Sequence, residues 1–176
     1  MNQITSYFDG SNIYGSSESR ARSLRAFSAG QLLVQSNKPK QYPPGNPGEC
    51  SSGNLPCFRA GDTRINEQVD LALIHTIWLR EHNRLAKELA QLNPHWTDEI
   101  LYQEARRIVI AELQFITYNE FLPLILGGEF MRKFGMQPLT QGHSGLYSED
   151  IDATVTNSFA SAAYRFGHSM VQGDVK

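Results

Sequence analysis

Residues 66–92 read NEQVDLALIHTIWLREHNRLAKELAQL, and this stretch decides the fold class. Its apolar side chains recur at intervals of three, four and seven residues, which is the spacing of one stripe on an α-helix. The stripe consists of Leu71, Ile74, Trp78, Leu85 and Leu89. Asn93-Pro94 follows and ends the helix, because proline lacks a backbone N–H and clashes with the preceding turn. The pattern therefore predicts one long helix with a single apolar stripe.

Two histidines, His75 and His82, lie on this predicted helix. They are seven residues apart and share a face, but they lack the His-Glu-x-x-His spacing with which one helix binds zinc. A structural role is therefore predicted for both of them, in place of metal ligation.

A turn with two opposite charges precedes the helix. Arg64 and Glu67 are three residues apart, so their side chains project to the same side if the turn is helical. This spacing is found in preorganised charged sites. It is found equally in ordinary surface ion pairs, which contribute little to stability. The spacing alone leaves both interpretations open.

The composition is that of an ordinary globular protein. The chain has 176 residues, 40% hydrophobic and 19% charged, which is enough for one domain with a sizeable core. Its 16 basic and 18 acidic residues give a net charge of -2, so charge offers no case for a nucleic-acid partner. No apolar run in the sequence indicates a membrane span, and the first residues lack the profile of a signal peptide.

Residues 36–56 are predicted to form a long surface loop, since they contain five prolines and three glycines. The two cysteines of the chain, Cys50 and Cys57, lie seven residues apart at the end of this loop. The spacing suits a small disulfide loop, which would indicate an oxidising compartment; the alternative is a pair of free thiols. No further cysteine or nearby histidine pair completes a zinc site.

An oxygen-rich stretch lies near the start of the sequence. Thr5, Tyr7, Asp9 and Ser11 occupy alternate positions, which face one way in an extended segment. The side chains of Thr5, Asp9 and Ser11, with a main-chain carbonyl near Tyr7, form a candidate calcium site. Calcium takes about six to eight oxygen ligands, usually with more than one carboxylate, and Asp9 alone is charged here. The alternative is an Asx-turn at Asp-Gly-Ser.

The remaining elements are also predicted to be helical. Helices are expected at about 17–27, 97–119, 129–134 and 151–172. Thr97 would cap the second of these helices, and Pro123 would mark its limit. Arg20, Arg22 and Arg25 are interpreted as a solvated face of the first helix.

The last of these helices contains Gly167-His168 within a cluster of aromatic residues. Glycine lowers helix stability, so its position before a histidine suggests that a large group approaches the backbone there. A single histidine on an apolar helix is usually a buried structural residue. Beside a glycine and aromatic side chains, ligation of a flat cofactor is the second interpretation.

Five longer motifs occur in order along nearly the whole chain. They are TSYFDGSNIYGS at 5–16, PCFRAGDTR at 56–64, LREHNRLA at 79–86, LYQEAR at 101–106 and YRFGH at 164–168. In this order they resemble the animal haem peroxidase family, the group that includes myeloperoxidase-like enzymes and peroxidasins. The resemblance implies a mainly α, haem-peroxidase-like helical domain with little or no sheet, present in part over residues 1–176.

The resemblance implies roles for four residues around a haem b cofactor. Arg64 is similar to the catalytic arginine of the family, which polarises hydrogen peroxide and stabilises charge as its O–O bond breaks. Glu67 is similar to a carboxylate that links haem covalently through an ester. His168 is similar to the ligand of the haem iron, and Arg165 is expected to meet a haem propionate.

The resemblance also bears on the calcium site and on one neighbouring position. Residues 5–11 match the calcium-binding loop of the family, so Thr5, Tyr7, Asp9 and Ser11 are expected to be calcium ligands and not only a turn. Gln68 stands where one member of the family has a methionine bonded to haem. Because a glutamine cannot form a sulfonium link, this chain is expected to lack the haem spectrum which that link produces.

Parts of the family pattern have no counterpart in this sequence. The distal histidine, a second haem-linking carboxylate and an aspartate of the calcium shell belong to a segment before the calcium loop. An asparagine that hydrogen-bonds the iron-ligating histidine belongs to a segment after the last motif, and such a partner orients the ligand. The sequence is therefore interpreted as the central portion of a peroxidase domain, a fragment with weaker calcium binding than a full-length relative.

The expected function is that of a haem peroxidase, which oxidises a small-molecule, phenolic or halide donor with hydrogen peroxide. The resemblance and the cysteine pair imply an extracellular location. The alternative is a non-catalytic helical module that keeps the peroxidase surface for binding or assembly. The missing distal histidine favours this alternative for the chain alone, since a positioned base contributes about 10²–10⁴-fold to rate.

Overall fold

The structure of the protein is a computed structural model that describes residues 4–35, 40–45, 57–171 and 173. These residues form helices and turns, without a β-strand among them, and their extended pairings are two isolated bridges, Arg25 with Leu32 and Gly45 with Phe58. The mainly α fold expected from the sequence is confirmed. Most of the predicted surface loop, 36–39 and 46–56, lies outside the described residues.

The helical elements are short except for two. In chain order they are α1 (Ser11–Tyr14), α2 (Glu18–Ser23), a 3-10 turn (Thr63–Asn66), α3 (Val69–Leu92), α4 (Asp98–Ile116), a π turn (Thr117–Phe121), α5 (Leu122–Leu126), α6 (Gly128–Lys133), α7 (Asn157–Ser161) and a 3-10 stretch (Ala163–Met170).

The chain divides into two compact units. One is Asp9–Pro138, and the other consists of Met1–Phe8 with Leu139–Lys176. In the larger unit α3 packs along α4, and the core also includes side chains from α1 and from the segment after α2. Its buried members are Ile13, Tyr14, Leu24, Leu32, Leu79, Tyr102 and Val109. In the smaller unit α7 packs against the 3-10 stretch that follows it. The single domain expected over 1–176 stays a prediction.

Local sequence signals set both ends of α3. At its start the Oε1 atom of Gln68 accepts hydrogen bonds from the backbone N–H of Asp70 (2.8 Å) and of Leu71 (3.3 Å), which satisfies two of the unpaired donors of the first turn. At its end Asn93 is followed by a proline that cannot continue the helix. The long helix predicted at 66–92 is confirmed, with a 3-10 turn before it.

The buried face of α3 differs from the predicted apolar stripe. Leu71 and Ile74 are exposed, whereas His82 and Asn83 are buried. Asn83 is buried because its side-chain amide satisfies the backbone of Leu32: its Oδ1 accepts from the Leu32 N–H at 2.8 Å, and its Nδ2 donates to the Leu32 carbonyl at 3.2 Å. Buried backbone groups require such partners, so polar residues share the packed side of the helix with the apolar Leu79.

The prediction that Pro123 limits the second long helix was wrong. Thr97 caps α4 as expected, accepting from the Ile100 N–H at 3.4 Å. The helix then passes through the π turn into α5. Pro123 lies in the first turn of α5, where the missing N–H of a proline removes no hydrogen bond within that helix. By length and composition alone, the stretch Asp98–Leu126 is apolar enough to cross a membrane. One helix that meets a criterion of length and composition does not by itself establish a membrane span.

Two other predicted helices are shorter than expected. The first ends at Ser23, because Phe27 (φ 53°) and Ala29 (φ 50°) adopt left-handed backbone conformations that no α-helix can include. The last, predicted at 151–172, is two elements, α7 and the 3-10 stretch. They meet at Ala162, whose φ of -131° and ψ of -69° lie outside the helical region.

Arg25 is buried and is not part of a solvated face. Its Nη2 donates to Asp98 Oδ2 at 2.7 Å, its Nη1 bonds Glu99, and its guanidinium lies 4.1 Å from the centre of the Tyr102 ring. The two carboxylates and the aromatic face compensate the cost of burying this cation. Arg22, by contrast, is exposed as predicted, whereas Arg20 is half-buried and its Nε donates to the Ala60 carbonyl at 2.7 Å.

Candidate haem and calcium sites

The turn that carries Arg64 is fixed by its neighbours on both sides. Asp62 caps the turn, since its Oδ1 accepts from the Arg64 backbone N–H at 2.8 Å. The Ile65 side chain is buried and anchors the turn in the larger unit. Asn66 forms two hydrogen bonds of 2.8 Å with the backbone N–H and carbonyl of Phe58. Short-range bonding therefore holds the turn at both ends.

Arg64 forms its ion pair with Asp62 rather than with Glu67 among the described residues. The Arg64 Nη2 lies 2.6 Å from Asp62 Oδ2, and the Arg64 side chain is 66% exposed. The hydrogen bond from Arg64 holds the pKa of the Asp62 carboxyl below its ordinary value, against the opposing effect of partial burial. Asp62 was not a candidate in the sequence, although an aspartate before a helical turn is a recognisable capping signal.

Glu67 lies directly after the 3-10 turn, where its backbone N–H donates to the Arg64 carbonyl at 3.0 Å. The turn is helical, as the Arg64–Glu67 spacing required, but the Arg64 side chain is directed back to Asp62. The Glu67 side chain is exposed. Gln68 is committed to the helix cap, and its Nε2 also donates to Asp70 Oδ2 at 2.8 Å.

His168 and Arg165 lie in the 3-10 stretch of the smaller unit, and both side chains are exposed. The Nδ1 atom of His168 is 2.9 Å from the Arg165 carbonyl oxygen. A carbonyl can only accept, so Nδ1 carries the proton and Nε2 is the nitrogen with a lone pair. His168 is therefore not the buried structural histidine of the first sequence interpretation.

The backbone at Gly167, beside His168, is not closely packed by the described residues. A Cβ atom built on Gly167 would have Met170 Cε, at 3.7 Å, as its sole contact within 4 Å among the described residues, which is an ordinary van der Waals distance. Packing in the described structure thus gives no reason for a glycine at this position. The expected approach of a large group stays a prediction.

The four predicted calcium ligands form two local turns. Thr5 Oγ1 accepts from the Tyr7 N–H at 3.1 Å in the smaller unit, and Asp9 Oδ1 accepts from the Ser11 N–H at 3.0 Å in the larger. The second contact is the Asx-turn that the sequence offered as the alternative. The described part of the chain contains no cluster of three or more His, Cys, Asp or Glu side chains that could hold a metal. Calcium ligation stays a prediction.

Cys57 is buried, with 7% of its surface exposed. Cys50 lies outside the described residues, so the predicted link between the two cysteines stays a prediction. Cys57, the cysteine within the described residues, is not a free thiol.

The model of the animal haem peroxidase family matches residues 1–176, the whole of the sequence. The chain belongs to the animal haem peroxidase family. The family resemblance expected from the five motifs is therefore confirmed.

Individual peroxidases are similar over almost the whole chain. The human peroxidasin homolog is 46% identical over 97% of this chain and 12% of its own length. The chorion peroxidase of Drosophila melanogaster is 45% identical over 98% of this chain and 22% of its own length. The structure of peroxidase A from Dictyostelium discoideum superposes with a TM-score of 0.74 and 36% identity, over 92% of this chain and 31% of that protein. The chain thus spans from 12% to 31% of the length of these peroxidases.

Each unit contains exposed side chains whose chemistry suits the haem that this family implies. His168 is exposed, and its Nδ1 bond to the Arg165 carbonyl leaves Nε2 as the nitrogen that can ligate iron. In haem proteins a histidine imidazole is a common axial ligand. Glu67 offers an exposed carboxylate, the group that an ester link to haem requires. Arg64 and Arg165 offer exposed cations, which suit a peroxide and a haem propionate, respectively.

Proposed function

We propose that this chain is part of a haem peroxidase that uses hydrogen peroxide to oxidise a small-molecule donor, such as a phenol or a halide. The observation that carries the proposal is the orientation of His168, whose Nδ1 donates to a backbone carbonyl at 2.9 Å. This bond selects the tautomer in which Nε2 is available to iron. Family membership supports the choice of haem b over other metal cofactors.

Arg64 is the catalytic residue in this proposal. Its guanidinium is a permanent cation with N–H donors that can bind hydrogen peroxide and stabilise negative charge on the departing oxygen. Bound haem would supply the redox chemistry of the reaction. The 3-10 turn supports this role because it is fixed at both ends while the Arg64 side chain remains 66% exposed.

Glu67 and Arg165 bind the cofactor in this proposal. Glu67 is the carboxylate that would link haem through an ester, and its position next to the capped start of α3 gives it a fixed backbone. Arg165 lies one 3-10 turn before His168 and would pair with a propionate. Neither residue is buried, so both side chains are accessible to a ligand.

Calcium binding through Thr5, Tyr7, Asp9 and Ser11 is the second component of the proposal. Its support is the match of residues 5–11 to the family loop and the partly buried carboxylate of Asp9. An extracellular location and a disulfide between Cys50 and Cys57 complete the proposal, and they agree with each other because disulfides persist in oxidising compartments.

A haem titration followed by absorption spectroscopy tests the proposal. The chain is compared with His168→Ala and with His143→Ala, a matched control that removes another exposed histidine of the same unit. We expect the Soret band of histidine-ligated ferric haem in the wild type and in the control, and its loss in His168→Ala.

A parallel calorimetric titration with calcium chloride compares the wild type with Asp9→Asn, in which binding is expected to weaken.

Three identical spectra would exclude His168 as the ligand. If the wild type showed no specific haem spectrum, the chain would not hold haem by itself, and the proposal would fail for the isolated chain. With haem bound, Arg64→Ala is expected to lower the peroxide-dependent rate by about 10²-fold, the loss typical of one stabilising donor, while the iron spectrum stays unchanged.

A further inference from the structure

One carboxylate, that of Asp62, binds Arg64 through four hydrogen bonds. Its Oδ1 accepts from the Arg64 backbone N–H at 2.8 Å and from Nε at 3.0 Å, and its Oδ2 accepts from Nε at 3.2 Å and from Nη2 at 2.6 Å. The same residue therefore caps the 3-10 turn and holds the edge of the guanidinium group. A bidentate carboxylate–guanidinium pair of this kind, a fork, restricts the orientation of the guanidinium as well as adding electrostatic attraction.

Asp62 is the fixed partner in this pair. Its side chain is 19% exposed, compared with 66% for Arg64. Its backbone N–H donates to the Asn12 carbonyl at 2.9 Å, and the N–H of Gly61 donates to the Ile13 carbonyl at 3.1 Å. The segment is thus bonded to α1, and the bonding orients the aspartate rather than the exposed arginine.

Gly61 makes this close approach to α1 possible. A Cβ atom at Gly61 would lie 2.2 Å from the Ser11 carbonyl oxygen and 2.4 Å from the Gly15 nitrogen, which are impossible distances for a non-glycine residue. The backbone that carries Asp62 therefore sits directly on the backbone of α1. This contact gives the carboxylate a defined position on which Arg64 can depend.

Capping alone does not account for all of these contacts. A cap needs one oxygen to accept from the backbone N–H, and Asp62 uses Oδ1 for that purpose. The bonds to Nε and Nη2 go further, because they limit rotation about the long Arg64 side chain, which otherwise loses considerable entropy when a ligand orders it.

We infer that Asp62 is a positioning residue, whose carboxylate orients the Arg64 guanidinium to bind hydrogen peroxide and to stabilise the charge that develops as the O–O bond breaks. The inference rests on the proposed function of Arg64, but its structural part concerns the haem-free chain as well. Asp62 acts through Arg64 and touches no reacting atom. Loss of the carboxylate removes the hydrogen bonds to Nε and Nη2 that restrict the guanidinium, so fewer molecules hold it in the orientation that catalysis requires.

The test separates orientation from capping with three variants of the full chain. Asp62→Ser keeps a capping oxygen but is too short to reach the guanidinium, Asp62→Asn keeps the Oδ1 acceptor but removes the charge, and Asp62→Glu restores the charge. The matched control is Glu81→Gln, because Glu81 holds Arg84 through the same kind of fork, with Nε donating at 2.8 Å and Nη2 also bonded.

The first readout is solvent exchange of the Arg64 Nε–H, measured by ¹⁵N-resolved NMR in the haem-free protein. We expect exchange to be about 10-fold faster in Asp62→Ser and also faster in Asp62→Asn, and closer to the wild-type rate in Asp62→Glu. Glu81→Gln should accelerate exchange at Arg84 and leave Arg64 unchanged. Equal Arg64 exchange in the wild type and in both Asp62→Ser and Asp62→Asn would overturn the inference, because it would leave Asp62 with capping alone.

The second readout is steady-state kinetics of the haem-loaded protein. We expect Asp62→Asn to lower kcat by about 10-fold with an unchanged Soret band, and Asp62→Glu to recover part of that loss. An unchanged kcat in a variant whose Arg64 exchange has accelerated would overturn the positioning role. If the wild type fails to bind haem, the proposed function fails, and the exchange measurement in the haem-free chain still decides whether Asp62 orients Arg64.

Discussion

At the scale of single residues, His82 illustrates how a buried polar side chain is made compatible with a core. Its Nε2 donates to the Gly30 carbonyl at 2.9 Å, and its Nδ1 accepts from the Tyr14 hydroxyl at 3.0 Å. In the neutral imidazole this tautomer gives both ring nitrogens a hydrogen-bond partner. The structural role predicted for His82 from its spacing is confirmed by these contacts.

This arrangement predicts an acid-sensitive fold. Burial, with a smaller contribution from the nearby cations Arg25 and Arg106, lowers the pKa of His82 from 6.5 to about 4 in spite of its bond to Gly30. The unfolded chain therefore binds more protons than the folded chain between these values, and stability falls as the pH falls from about 6.5 towards 4. Between pH 7 and pH 5 the loss through His82 is about 2 kcal/mol.

The measurement is the free energy of urea unfolding at pH 7 and pH 5 for the wild type, His82→Gln and His95→Gln. The wild type and His95→Gln, which changes an exposed histidine, should lose about 2 kcal/mol more on acidification than His82→Gln does. Equal losses in all three proteins would show that His82 does not titrate with folding.

At the scale of elements, the junction between α2 and α4 depends on one buried cation. Arg25 bonds Asp98 and Glu99 at the start of α4, and Asp98 Oδ1 also accepts from the Gly30 N–H at 2.7 Å. Gly30 itself, at φ 70°, leaves no room for a side chain, since a Cβ would lie 2.6 Å from the backbone nitrogen of Tyr102. The segment after α2 is thus fastened to the N-terminus of α4.

The two carboxylates of this junction should differ in their effect on stability. Asp98→Ala removes an ion pair to a cation that is 8% exposed and an acceptor for the Gly30 N–H. We expect it to lower the free energy of unfolding by about 2 kcal/mol, as for hydrogen bonds to charged groups. Glu99 is 60% exposed, so Glu99→Ala should cost less than about 1 kcal/mol.

Chemical denaturation of the two variants at neutral pH provides the comparison. The prediction would be contradicted by a loss in Glu99→Ala that equals or exceeds the loss in Asp98→Ala. Because both substitutions remove one carboxylate from the first turn of the same helix, their effects on the helix dipole largely cancel in this comparison.

At the scale of the whole molecule, the helices expose many apolar side chains. Leu73 is 57% exposed, Phe115 61% and Leu124 86%. The matched peroxidases are several times longer than this chain. Apolar surface exposed to water promotes association, so the chain by itself is expected to self-associate at micromolar concentrations.

Sedimentation velocity across a concentration series tests this expectation. Leu124→Lys should shift the distribution towards the monomer, because it replaces the most exposed of these apolar side chains with a charge. Gln103→Lys adds the same charge at an exposed polar position of α4 and should leave association unchanged. A monomeric wild type at all concentrations, or an equal effect of both substitutions, would contradict the prediction.

The amino-acid sequence alone determined those features whose physical causes are local. The limits of α3 follow from Gln68 and Asn93-Pro94, and the start of α4 follows from Thr97, because helix ends are satisfied by neighbouring side chains. The order of the five motifs likewise sufficed for the family, since it depends on residue identity along the chain and not on contacts.

Only the tertiary structure decided which side of each helix is buried. His82 bonds a carbonyl 52 residues away, and Arg25 bonds a carboxylate 73 residues away, so no short-range pattern predicts that both are buried. The same holds for Asp62, whose fixed position depends on the close approach of its backbone to α1. Buried polar groups must find partners wherever the fold brings them, and those partners are distant in sequence.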